Sequence, residues 1–276
     1  VTTTLRPAGP ESREPDGARS RDFTVCVNSR PVGSIRLATD RRYGPRTGRV
    51  VQLRIDERDR RRGRGTVAAL AAEEVLRGWG CRQVEASVPA EAPAALRLMS
   101  ALGYTERNRA MVKALGEEPS LPPGVTVRAM GADDYAVWHA RTRDEYVDDW
   151  VARGLTRQRA VELADADYAA TLPEGHLTPD TALRVLGADG ADVGWLWVRL
   201  RADEGRPAWV YLVEVAEPHR GRGHGRTLML TAERECLAAG VRSVGLNVYT
   251  ANSAAMRLYE SLGYRPTSHE MTKSLL

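Results

Sequence analysis

Displaced by 160 residues, the sequence lies back on itself without a gap. Arg60, Gly63 and Gly65 fall on Arg220, Gly223 and Gly225. Gly80, Arg82 and Val84 fall on Gly240, Arg242 and Val244, and Leu102, Gly103 and Tyr104 on Leu262, Gly263 and Tyr264. Met111, Lys113 and Leu115 fall on Met271, Lys273 and Leu275. A period this long is a whole domain, not a solenoid unit. The chain of 276 residues is therefore expected to hold two copies of one domain, residues 1–115 and 125–276. Residues 116–124, GEEPSLPPG, have the prolines and glycines of a linker.

The most informative stretch is 209–227, WVYLVEVAEPHRGRGHGRT. It reads as an apolar strand, a basic glycine loop and the start of a helix. Tyr211, Val213 and Val215 alternate with Val210, Leu212 and Glu214, and Pro218 stops the strand. Gly221, Gly223 and Gly225 let the backbone approach a ligand closely. Bare N–H groups at a helix start suit a phosphate, and Arg220, Arg222 and Arg226 add positive charge. The pattern is not a P-loop, because no Lys-Ser/Thr follows the last glycine. Nor is it a dinucleotide fingerprint, because the spacing is G-x-G-x-G.

The spacing R-x-x-G-x-G from Arg220 to Gly225 resembles the acyl-CoA pyrophosphate loop of the GNAT N-acetyltransferase family. Residues 247–264, NVYTANSAAMRLYESLGY, resemble that family's second motif. The second copy reads β-α-α-β-β-β-α-β-α-β, the family's order. It includes a helix from Asp133 as cap, a second capped by Thr156, and a hairpin around Asp189 and Gly190. The first copy reads the same without its helix pair, with residues 11–21 as loop and a hairpin around residues 28–31. The expected fold is α/β with a mixed sheet: two tandem acyl-CoA N-acyltransferase domains, the arrangement of mycothiol-synthase-like acetyltransferases.

The resemblance implies roles. The loop Arg220, Gly221, Arg222, Gly223, His224, Gly225 and Arg226 would hold the pyrophosphate of acetyl-CoA. Val213 and Val215 would offer main-chain groups to the pantetheine arm and thioester. Asn252 would bond that arm, and Tyr259 would protonate the departing sulfur. A phenol of pKa about 10 suits a thiolate of similar basicity. Glu214, on the strand face opposite the valines, is the candidate base, directly or through water. The acceptor wall would use Tyr146, Trp150 and Trp195, with Trp138 and Trp197 as further candidates. Asp144, Glu145, Asp148 and Asp149 form an acidic cluster that could attract a cation. Cys236, inside a helix, makes a poor nucleophile, so direct transfer in a ternary complex is expected. In the first copy Ala92 stands at the position of Asn252, Met99 at that of Tyr259 and Arg54 at that of Glu214. That copy keeps its loop and loses its chemistry.

Composition narrows the rest. The net charge is +4, yet only Lys113 and Lys273 are lysines, and basic runs without interleaved aromatics argue little for nucleic acid. No apolar run approaches the ~20 residues of a membrane span, and no leader opens the sequence. Cys26, Cys81 and Cys236 lack metal or disulfide spacing, and five histidines lack a metal motif. We expect a cytoplasmic, metal-free N-acetyltransferase that uses acetyl-CoA and moves the acetyl group to a primary amine of a small molecule or peptide N-terminus. The alternative is an acyl-CoA sensor or scaffold without turnover. The motifs choose neither the acceptor nor the oligomeric state.

Overall fold

Asn28 and Ser29 (φ 46° and 70°) and Asp189 and Gly190 (φ 53° and 77°) take left-handed backbone. Two such residues in a row make the turn that matches strand twist, and both hairpins close where the sequence places them. The computed structural model describes residues 2–15, 17–40, 42, 46–201 and 207–275. In chain order the elements are β1 (Thr3–Pro7), β2 (Ser12–Arg13), β3 (Arg19–Val27), β4 (Arg30–Thr39), β5 (Thr47–Ile55), α1 (Arg64–Gly78), β6 (Gln83–Pro89), α2 (Pro93–Ala101) and β7 (Thr105–Ala114). The second copy continues with β8 (Val125–Ala129), α3 (Ala132–Ala152), α4 (Arg157–Thr171), β9 (Thr181–Ala188), β10 (Ala191–Arg199), β11 (Ala208–Val215), α5 (His224–Ala238), β12 (Ser243–Tyr249), α6 (Ser253–Ser261) and β13 (Arg265–Ser274).

The element order expected for each copy is present, with two local corrections. Residues 11–21 are not all loop, because Ser12 and Arg13 pair with Ser20 and Arg19. The cap of α3 is Gly131, not Asp133: the Asp134 carboxylate accepts from the Gly131 N–H at 3.0 Å. Thr156 caps α4 as expected, its hydroxyl accepting from the Arg159 N–H.

The compact units cross the sequence copies at their ends. One comprises Val1–Arg109, Tyr249–Ala251 and Pro266–Leu276; the other comprises Ala110–Val248 and Asn252–Arg265. In the first unit the sheet order is β1-β3-β4-β5-β6-β13. Its last strand comes from the end of the second copy, with Ser274 opposite Gln83 and Ser268 opposite Pro89. In the second unit the order is β7-β12-β11-β10-β9-β8, and the Leu115 N–H donates to the Arg242 carbonyl at 2.8 Å. Side chains explain the exchange. Met111 and Leu115 lie in the core of the second unit, and Met271 and Leu275 in that of the first. Between them, Lys113 Nζ bonds both oxygens of Glu233 at 2.7 and 2.8 Å. Lys273 does the same to Glu73 at 2.9 and 2.7 Å. Glu233 and Glu73 are 3% and 2% exposed, and a buried carboxylate without a cation is costly.

The missing helix pair of the first copy is matched by its sheet. Asp22, Arg36 and Gln52 share one register row across β3, β4 and β5, and Thr24, Ser34 and Arg54 share the next. Arg36 forks onto Asp22 at 2.7 and 2.9 Å. This face is polar and faces water. In the second unit, Trp197 opposite Leu212 and Trp195 opposite Glu214 hold the equivalent rows. There α3 and α4 cover a core of Met130, Trp138, Leu172, Leu183, Val185 and Trp197.

Replacing Lys113 by Met leaves Glu233 buried without its counter-charge. The variant should lose about 3–5 kcal/mol, read as a lower midpoint in urea. Adding Glu233→Leu should recover most of the loss.

Candidate active site

The site begins with an irregularity in β11. Trp197 pairs with Leu212, but Val198 pairs with Val210, so Tyr211 is an extra residue. Such a bulge bends the strand and sharpens its twist. It breaks the simple alternation read from the sequence, since Tyr211 stacks on Trp197 at 4.6 Å, the ring opposite Leu212. On its other edge β11 runs parallel to β12 only from Ala208↔Val244 to Val210↔Leu246. Beyond that the strands part. The Glu214 carbonyl lies against Gly194 of β10. Main-chain groups alternate along a strand, so those of Val213 and Val215 face away from β10, toward the gap between β11 and β12.

The glycine loop closes one end of this gap. Gly221 and Gly223 have φ of 77° and 87°, a conformation costly for residues with Cβ. Gly223 caps α5 with no side-chain bond. The first amides of that 15-residue helix are left to a ligand, with the positive end of its dipole behind them. The three arginines divide their work. Arg220 Nε donates to the Val215 carbonyl at 3.1 Å, pinning the loop to the strand. Arg226 Nη2 donates to Ser261 Oγ at 2.5 Å, tying α5 to α6. Arg222 is exposed. The His219 and His224 rings stand 6.4 Å apart beside it. Gly225 has its own reason, since a Cβ there would meet Leu258 Cδ2 at 3.3 Å.

Asn252 caps α6. Its Oδ1 accepts from the Ala255 N–H at 3.0 Å, leaving the side-chain NH₂ as its donor. Tyr259 is half-buried against the core, 6.0 Å from Tyr264 between ring centres. Burial raises its phenol above the ordinary range, so the proton stays on through neutral pH. Cys236 is fully buried in α5, its thiol pushed up to about 12 by burial.

The acceptor side departs from expectation. Trp150 is 2% exposed and packs edge-on to Tyr146 at 5.9 Å, so it is core and touches no acceptor. Tyr146 gives its hydroxyl to Asp167 at 2.6 Å. Trp138 is also buried. The acidic cluster of α3 is locally neutralised: Asp144 pairs with Arg143, Glu145 with Arg141, Asp148 with Arg157 and Asp149 with Arg153. Glu214 lies on the face opposite the valines, as expected, but both its oxygens are held by Arg141 at 2.7 and 2.8 Å. The carboxylate raises the Arg141 pKa through that bond. Trp195, opposite Glu214, lies under the same guanidinium, 5.3 Å away. Sequence reasoning missed Arg141. Its partner is 73 residues away, and one helical turn offers Glu145 as a sufficient reason for it. Among the described residues no cluster of His, Cys, Asp and Glu could hold a metal ion. No helix among them is long and apolar enough to cross a membrane.

The first unit repeats the frame without the groups. Arg36 pairs with Gln52 and Leu37 with Val50, leaving Val51 as the extra residue. β5 and β6 part after Val50↔Ala86. Arg60 Nε pins the loop to the Ile55 carbonyl at 2.9 Å. The cavity there is about 690 Å³, lined by Leu53, Ile55, Gly63, Val88, Leu98 and Met99 among others. Ala92 caps α2 with no side-chain bond.

Comparison with known proteins gives the family. The family model for the acetyltransferase (GNAT) family matches residues 5–104 and 140–264. The mycothiol acetyltransferase of Streptomyces griseus is 30% identical over 91% of this chain and 78% of its own length. That of Frankia casuarinae is 28% identical over 96% of this chain and 79% of its own. A GCN5-related N-acetyltransferase from Sphaerobacter thermophilus shares the fold with a TM-score of 0.59, covering 92% of this chain and 80% of that one, at 22% identity. A tandem GNAT protein from the clavulanic acid biosynthesis pathway, solved without AcCoA, covers 96% of this chain and 85% of its own, with a TM-score of 0.53 and 22% identity.

A methyl group at Gly223 meets nothing within 4 Å, so Gly223→Ala should cost backbone strain alone, about 1–2 kcal/mol. Thermal melts should show that loss. Titration with CoA should show weaker binding, because strain relief turns the first amides of α5 off their aim.

Proposed function

The chain belongs to the GNAT acetyltransferase family and is an N-acetyltransferase of two tandem GNAT domains, and from that premise we propose that the second unit is the catalytic one. Acetyl-CoA is the proposed donor, and the acceptor is the primary amine of a small molecule. The relatives named for mycothiol support a small-molecule acceptor over a peptide N-terminus. The observation that carries the reading is the pairing of frame and chemistry. Both units part their parallel strands beside a bare helix start. In the second, α6 is capped by Asn252 and carries the half-buried Tyr259, and β11 carries Glu214, where the first has Ala92, Met99 and Arg54.

The residues divide the work as follows. The first amides of α5 and Arg222 hold the pyrophosphate. The main chain of Val213 and Val215 and the NH₂ of Asn252 align the pantetheine arm. The donor supplies a thioester carbonyl and a sulfur leaving group. Glu214 takes one proton from the entering ammonium once Arg141 lets go. As the C–N bond forms and the C–S bond breaks, Tyr259 gives its phenolic proton to the sulfur. The amine's second proton restores the phenol through solvent. Burial suits Tyr259 to this step, because a desolvated phenol resists ionisation and keeps the proton it must deliver. With Cys236 buried and protonated, no acyl-enzyme is involved. In the first unit Met99 offers no proton and the sheet face lacks an acceptor wall, so that unit does no transfer.

Tyr259→Phe should lower kcat by about 10²–10⁴ while leaving the dissociation constant for CoA nearly unchanged. Release of free CoA thiol with an amine panel measures the first, and calorimetry the second. Full activity in the variant would refute the assignment of the acid. Met99→Leu, at the equivalent place in the first unit, should turn over like the wild type.

A further inference from the structure

The pair that holds Glu214 defines what opens it. Arg141 forks onto Glu214 with one bond to each oxygen and lies over Trp195. Glu145, one helical turn along α3, accepts a third bond from Nη1 at 3.1 Å, which keeps the guanidinium at this place. The side chains are 36% exposed for Arg141 and 25% for Glu214, so a ligand can approach, yet the charges are half sheltered. No such pair exists at the equivalent place in the first unit, where Ser34 faces Arg54.

Closed, the pair satisfies one positive and one negative charge. A ligand that opens it must satisfy both. A plain ammonium supplies one: it takes Glu214 and leaves the guanidinium with only the exposed Glu145. A ligand with a carboxylate close to its amine supplies both. The carboxylate takes the fork in the two-oxygen geometry that Glu214 occupies now, and the ammonium takes Glu214. We propose that the acceptor is a zwitterion of the α-amino-acid type, its amine flanked by a carboxylate, and that Arg141 is the residue that selects it. The proposal rests on the reading of the second unit as the transferase and adds a function to the closed pair. Glu214 is released to accept a proton only when the carboxylate has drawn Arg141 away, so the base is unmasked by the right acceptor. Specificity then comes from an unpaired charge left by the wrong one.

The test uses the full chain, acetyl-CoA and matched acceptors: α-amino acids, their amides and their decarboxylated amines. The acids should exceed both analogues by about tenfold or more in kcat/KM, most of it in KM. Arg141→Gln should bring the ratio of acid to amide near one, and Arg141→Lys should restore part of it. Equal kcat/KM for acids and amides in the wild type, or a preference that survives Arg141→Gln, would overturn the proposal. If no amine were acetylated at all, the transferase reading of the unit would fall, and binding would decide the inference separately. Titration of the same amino acids with CoA present, followed by tryptophan fluorescence, should saturate for the wild type and not for Arg141→Gln. Absence of binding to the wild type, or equal binding by both, would refute it.

Discussion

Two lysines decide how this chain is divided. Lys113 and Lys273, its only ones, each reach a carboxylate buried in the helix behind the sheet. Each also lies over a buried tyrosine ring, Lys113 at 5.8 Å from Tyr264 and Lys273 at 5.5 Å from Tyr104. An ion pair in a dry place adds little net stability over an apolar substitute, but it is intolerant of a missing partner. It therefore acts as a specification. A strand that brings a cation between two apolar residues, as Met-x-Lys-x-Leu does, fits beside a helix that buries a glutamate. Both copies end in that strand, and α1 and α5 each carry that glutamate. The fold resolves the ambiguity by giving each sheet the terminal strand of the other copy.

With the sheets completed, a gap between parallel strands follows from one extra residue per unit. The bulges at Val51 and Tyr211 occur at equivalent places and turn each strand away from its parallel neighbour after only a few pairs. What differs is what surrounds the gap. In the second unit the sheet face beside it is aromatic and covered by two helices, and α6 is capped by an asparagine and carries a tyrosine. In the first unit the same face is polar and open to water, and the helix begins with alanine and carries methionine. Frame and chemistry are thus separable in this fold. The frame depends on glycines, a bulge and an arginine that caps the strand end, and these persist in both units.

Much of this was legible in the sequence because it is local or periodic. The repeat, the glycine loop, both hairpin turns and the helix pair of the second copy depend on neighbours within a few residues. So does the contrast of Tyr259 with Met99. The strand exchange was not legible. Met111, Lys113 and Leu115 look the same as Met271, Lys273 and Leu275, so either strand suits either sheet by pattern. The resemblance assigns Trp150 to an acceptor wall because it lies on the first helix pair, and a residue's place on a helix does not say whether it meets solvent or core. Glu214 was placed on the correct face, but its engagement by Arg141 joins residues 73 positions apart, a distance over which no periodicity carries. The acidic run of α3 looked like an electrostatic lure, whereas arginines on the same two helices answer it.

The exchanged strands bear on how such a gene product can change. A duplicated copy that loses its chemistry is ordinarily free to decay or be deleted. Here residues 110–114, from the end of the first copy, are a strand of the second unit, and Lys113 answers a charge in its core. Deleting residues 1–115 would strip the second unit of that strand and leave Glu233 without the cation that pairs with it. The first copy is thus held in place much as a keystone is: its removal would be felt in the other unit.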